Sequence, residues 1–137
     1  MSTGDWESSE AMKILIQALA IGAAGFVGAL ARWGVTVLFG NLVPTQFPLG
    51  TFVINISGSF FLGWFLTFMN ARYAGHVTLK LAIATGFVGA YTTFSTYMYD
   101  SMTLMQKGAM VLAVINVAGS VIVGLLGAWL GIVLAGH

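Results

Sequence analysis

A chain of 137 residues that is 58% hydrophobic and only 7% charged lies outside the composition of soluble domains and matches that of chains dissolved in lipid. The absence of cysteine excludes a disulfide framework, a thiolate metal site and a thiol nucleophile, and a net charge of +1 argues against a nucleic-acid partner. The length admits a single domain, expected to be an all-α integral membrane protein.

Residues 1–11 carry Asp5, Glu7 and Glu10 without the basic region and small-residue cleavage pattern of a secretory signal, and read as a polar tail. Residues 12–137 read as one domain of four transmembrane helices. The first apolar run, 12–39, is interrupted beyond Lys13 at its start only by Gln17 and Arg32 among residues that are charged or carry an amide, and is long enough to span with tilt. Asn41, Pro44 and Pro48 then supply the turn chemistry that ends it. A second span follows at 51–69, and Arg72, Gly75 and His76 mark a polar connection. The third span covers 79–104, Gln106-Lys107-Gly108 makes a tight reversal, and the fourth covers 109–134. Four crossings put both termini on one side.

The third span is the unusual one. As a straight helix it would measure roughly 39 Å at about 1.5 Å per residue, against a hydrocarbon core of about 30 Å. Thr92, Thr93 and Thr96 follow Gly86, Gly89 and Ala90, so helix propensity is weakest at mid-span and a break between Gly89 and Ser95 is expected. Irregular backbone persists in a membrane only where protein buries it or where it lines a polar cavity, commonly an ion site.

Small residues four apart, Ala24 and Gly28, Ser120 and Gly124, Gly127 and Gly131, predict close helix packing rather than chemistry. Lys13, Arg72 and Lys80 lie on the side of the termini, with Lys107 and Arg32 towards the other. So slight a bias predicts insertion in both orientations. A dual-topology chain can close as an antiparallel homodimer about a two-fold axis in the membrane plane, with the two broken helices face to face.

Several polar side chains lie within the spans, and each has a structural alternative. Thr51, Asn55, Ser59 and Gly63 form one stripe, and Asn116, Ser120 and Gly124 another. Either asparagine can line a path or simply glue two helices, at about 0.6 kcal/mol for such a bond. Arg32 can point inward or snorkel to the interface. Thr92, Thr93, Ser95 and Thr96 can back-bond to their own helix or form a hydroxyl track, and Asp100 reads equally as a helix-end residue in contact with water. Amide and hydroxyl hydrogens and the positive edges of Phe94 and Tyr97 favour a small anionic or polar solute, because neutral donors bind such a solute and release it again. Physical reasoning on these residues stops short of naming the solute.

Gly-Ala-Leu-Ala-Arg-Trp at 28–33, Gly-Thr-Phe-Val-Ile-Asn at 50–55 and Thr-Thr-Phe-Ser-Thr at 92–96 occur in the order found in the Fluc (CrcB) fluoride-channel family, which the chain resembles from its first span to its fourth. The resemblance implies a multi-pass protein of the cell inner membrane that lowers cytoplasmic fluoride through two pores per antiparallel dimer. It further implies a structural Na⁺ at the dimer axis, held by the carbonyls of Gly89 and Thr92. By the same resemblance Asn55 is the pore amide, Phe94 and Tyr97 form the aromatic box, Ser95 and Thr96 belong to the hydroxyl track, and Asn116 lies near the path. Arg32, Ser120 and Thr93 would then be vestibule or supporting residues. The family pattern Gly-Gly-Leu-Thr-Thr-Phe-Ser-Thr-Phe reads Gly-Ala-Tyr-Thr-Thr-Phe-Ser-Thr-Tyr at 89–97. The hydroxyl of Tyr97 therefore needs a partner, and a heterodimer with a paralogue stays open.

Two other classes compete. A small-multidrug-resistance exporter needs a carboxylate in its first span for proton exchange, whereas this span holds Arg32 and no acid. A non-transporting helical subunit would use the polar stripes for assembly alone. With no cysteine and only Asp100 as a possible mid-chain acid, enzymatic chemistry is not expected.

Overall fold

The computed structural model describes residues 3–136, with side chains from residue 8 onward. Four helical spans follow one another through short connections, so sequential helices run antiparallel, and all four are long and apolar enough to cross a membrane. The first is α1 (Thr3–Leu42). At about 60 Å by its rise per residue, it is twice the thickness of a hydrocarbon core. No proline interrupts it, so residues 3–11, expected as a separate tail, continue the same helix. The second is α2 (Leu49–Arg72), entered through Pro48 and closed by the Tyr73 N–H on the Met69 carbonyl.

The third span is composite. It comprises α3 (Val77–Lys80), a π-helical segment Leu81–Val88, α4 (Gly89–Tyr91) and α5 (Phe94–Gln106). Between α4 and α5 the backbone leaves helical space: Thr92 has φ −77°, ψ 159° and Thr93 φ −151°, ψ 113°. Both residues fall inside the weak stretch expected from composition. Thr93 then caps α5, its side-chain oxygen accepting the Thr96 N–H at 3.2 Å.

The span ends at Lys107. Gly108 has φ +76°, and its N–H bonds to the Met105 carbonyl while the Ala109 N–H bonds to that of Leu104. This is a Schellman closure with the glycine where a Cβ would be strained. The chain finishes in α6 (Met110–Ala135).

The helices meet through their small residues. α2 packs most extensively on α6, and α1 on the π-helical segment. A Cβ on Gly131 would collide with the Phe60 carbonyl, and one on Gly28 with that of Phe87. A Cβ on Gly86 would stand 2.6 Å from the Ile21 carbonyl. Backbone against backbone is how helices gain dispersion energy where lipid offers no hydrophobic drive. The enclosed core is correspondingly small, with Ile54, Phe65 and Met69 of α2 and Ala113 of α6 among its members, and the outer faces of α1 and α6 expose Leu, Val, Phe and Trp. That inverted distribution suits a lipid surround.

Candidate functional site

The polar side chains of the spans collect along the seam between α2 and the third span. Asn55, half-buried on α2, faces the extended pair. Its Oδ1 accepts the Thr93 N–H at 2.8 Å and its Nδ2 donates to the Thr93 carbonyl at 3.1 Å. One amide thus satisfies both backbone groups of a residue that has left the helix. A consequence follows for the preceding turn. In a continuous helix the Thr93 N–H would serve the Gly89 carbonyl and the Thr96 N–H the Thr92 carbonyl. Here the first goes to Asn55 and the second to the Thr93 hydroxyl, which releases the carbonyls of Gly89 and Thr92 from their helical donors.

A cavity of about 310 Å³ opens beside this junction, lined by Asn55, Ser59, Thr92, Thr93, Phe94, Tyr97 and Ser120 among others. A second, of about 320 Å³, is lined by Thr96 and reaches the α1–α2 loop, with Thr36, Thr51 and Asp100 among its other polar residues. Between them stands a run of hydroxyls. Thr93 Oγ1 donates to Thr96 Oγ1 at 3.0 Å and lies 3.4 Å from Ser95 Oγ. In the second cavity the Thr51 hydroxyl donates to Asp100 Oδ2 at 2.7 Å. The acid that sequence reasoning set aside at a helix end is therefore held against α2. Its signal was available: Thr51 and Asn55 are four apart on one helix, as are Thr96 and Asp100 on another.

Phe94 and Tyr97 pack ring against ring, with centroids 5.9 Å apart and planes tilted by 57°. Their settings differ sharply, since Phe94 is 73% exposed and Tyr97 only 6%. The extra hydroxyl of Tyr97 points away from Phe94 and donates to the Val117 carbonyl on α6 at 2.9 Å.

Asn116 does not line either cavity. It is fully buried against α5, where its Nδ2 donates to Ser101 Oγ at 2.9 Å, and Ser101 in turn donates to the Tyr97 carbonyl at 2.8 Å. Because the single Ser101 hydrogen is spent on that carbonyl, Ser101 can only accept from Asn116, which fixes the amide with Oδ1 facing the other way. Neither Asn116 Oδ1 nor Ser120 Oγ has a hydrogen-bond partner.

Arg32 lies outside both cavities, half-buried on α1; Lys13 and Glu10 form the only ion pair among the described residues. Gly89 is exposed beside the break, as are Ser95 and Thr96. Two features lay beyond sequence reasoning. The π-helical turn leaves no mark in an apolar string, and the pairing of Ser57 with the Tyr91 hydroxyl at 2.9 Å depends on which faces of α2 and α4 meet.

A chain with four spans apolar enough to cross a membrane and a polar seam between α2 and the third span belongs to the class of small multi-pass helical membrane proteins. Comparison with known proteins makes the class specific. The family model described as CrcB-like protein, Camphor Resistance (CrcB), matches residues 19–132, and the chain belongs to that family. It is 44% identical over 113 residues to the Fluoride-specific ion channel FluC 2 of Geobacillus kaustophilus (strain HTA426), covering 82% of this chain and 88% of the relative. Over 118 residues it is 45% identical to the Fluoride-specific ion channel FluC 2 of Moorella thermoacetica, covering 86% and 95%. The Fluoride-specific ion channel FluC of Acidobacterium capsulatum is 43% identical over 113 residues, covering 82% and 90%.

Proposed function

We propose that the chain is a fluoride-selective channel, acting as an antiparallel dual-topology homodimer with two pores in the cell inner membrane. The observation that carries this reading is the exposed polar surface that Ser95 and Thr96 form with Phe94 around the first turn of α5 within a segment apolar enough to span. Hydroxyls in hydrocarbon cost several kcal/mol if left bare, so that face requires water or a second protein surface. A second copy related by a two-fold axis supplies that surface and turns two open cavities into enclosed ones.

Along the enclosed path an anion would meet Ser120 and the second hydrogen of the Asn55 amide, then the edge of Phe94, then the hydroxyls of Ser95 and Thr96, Thr93 having given its hydrogen to Thr96. Each is a neutral donor or positive edge. Fluoride, small and strongly hydrated, gains most from short hydrogen bonds of this kind, and with no Lys or Arg side chain lining the cavity it is not trapped.

The break fits a second role. The carbonyls of Gly89 and Thr92, freed from helical donors, are hard oxygen ligands of the sort an alkali cation takes. Two copies would bring four of them to the axis and hold a structural Na⁺, which would neutralise the carbonyl dipoles and lock the dimer. Arg32, nearly three turns before the end of α1 at Leu42, would act on anions through its long-range field rather than by contact. Transport of this kind needs no bond making or breaking, so no catalytic residue is assigned.

Vesicles loaded with both halides and containing the purified protein should release fluoride and retain chloride. Equal release of both, or of neither, would contradict a selective fluoride pore.

A further inference from the structure

Away from the seam, a cavity of about 840 Å³ lies between the N-terminal part of α1 and the start of the third span. Its walls divide by chemistry. Lys13, Gln17, His76 and Thr78 supply the polar part, and Ile16 and Leu79 belong to an apolar wall that continues into the exposed flank of α1. The polar part sits at the end of the bundle where α2 finishes and α3 begins, which is the level of lipid headgroups. Three of the chain's five Lys and Arg residues, Lys13, Arg72 and Lys80, lie at this end. Arg72 lies over the Phe68 ring at 4.9 Å, Lys80 donates to Asn70 at 3.3 Å, and Lys13 and His76 face the cavity. Tyr73 holds the His76 ring edge-on at 5.6 Å. Glu10, bound to Lys13 at 2.6 Å, is the one carboxylate at this end among the described side chains.

From this geometry we infer that the cavity is a binding site for an anionic phospholipid. Lys13, Gln17 and His76 take the phosphodiester, and an acyl chain lies along Ile16 and Leu79. A cavity that is basic at headgroup depth and apolar below it matches such a molecule in both halves. A free anion would leave the apolar wall unused, and a zwitterionic lipid would bring its own cation to a basic site. The exposed Glu10 carboxylate competes with the headgroup for Lys13.

Native mass spectrometry of the detergent-solubilised protein, given equal dioleoyl-phosphatidylglycerol and dioleoyl-phosphatidylcholine, tests the site. Phosphatidylglycerol adducts should dominate. Lys13→Gln should weaken that preference about fivefold, following about 1 kcal/mol for a basic residue at an anionic surface, and adding His76→Gln should lower it further. Lys13→Arg should preserve it, Lys107→Gln at the opposite end should leave it unchanged, and Glu10→Gln should strengthen it. Equal retention of the two lipids would overturn the site, as would a preference that survives the double substitution. Displacement of phosphatidylglycerol by millimolar inorganic phosphate alone would overturn the lipid assignment in favour of a free anion.

Discussion

Asn55 commits its carbonyl oxygen and one of its two amide hydrogens to Thr93, which leaves the second hydrogen facing the cavity. The side chain is therefore a splint for the break as well as a lining of the cavity. Asn55→Leu strands an N–H and a C=O, at about 1–3 kcal/mol for each unsatisfied group. Thermal unfolding should shift down accordingly and fluoride efflux should be lost. Unchanged melting would mean the splint is not needed. Tyr97 makes the opposite case, because its hydroxyl serves α6 rather than the cavity. Tyr97→Phe should lower stability by about 1 kcal/mol, the net value of one such bond, with efflux intact. A change in efflux without a change in stability would place that hydroxyl in the path. The sequence posed the question of a partner for Tyr97, but the answer is a backbone carbonyl, which no side-chain pattern encodes. Asn116 was readable as a costly buried amide. Its partner Ser101 was not, because two helices had to be placed before the contact existed.

The third span is the element in which local sequence and tertiary packing divide the work. Threonines after glycines weaken the helix, but it is α2 that holds the extended conformation, through Asn55 and through Gly58. A Cβ on Gly58 would collide with the Thr92 methyl, so this glycine lets the break lie close to α2. Gly58→Val should push Thr92 out of position and reduce fluoride efflux by at least an order of magnitude, equivalent to about 1.4 kcal/mol on the barrier. Electrode-recorded efflux at wild-type rate would mean the break tolerates displacement. Span number and order were legible because hydropathy over some twenty residues is a strong signal. Helix ends were less so: α1 extends to Leu42 and the third span begins at Val77, since polar residues continue a helix beyond the apolar run that announces it. The π-helical turn was hidden because it arises where Gly86 meets Ile21 on α1, a contact with no sequence spacing of its own.

At the scale of the whole molecule, a single copy leaves the first turn of α5 exposed, and the proposed pairing of oppositely inserted copies would cover it. Asn41 and Gln46 lie at the α1–α2 end of the bundle. Replacing both by Lys should bias insertion towards one orientation and lower efflux from cells expressing this chain alone, with recovery when a copy biased the other way is supplied. Full activity of the charged variant by itself would count against pairing of opposite orientations. The central claim is that fluoride crosses along the seam where Phe94 lines the first cavity. The initial rate of fluoride efflux from vesicles containing Phe94→Ile, with dimer content verified by crosslinking, tests it most directly. A rate at least tenfold below that of the parent chain, with the dimer intact, is expected; an unchanged rate would take the path away from this seam.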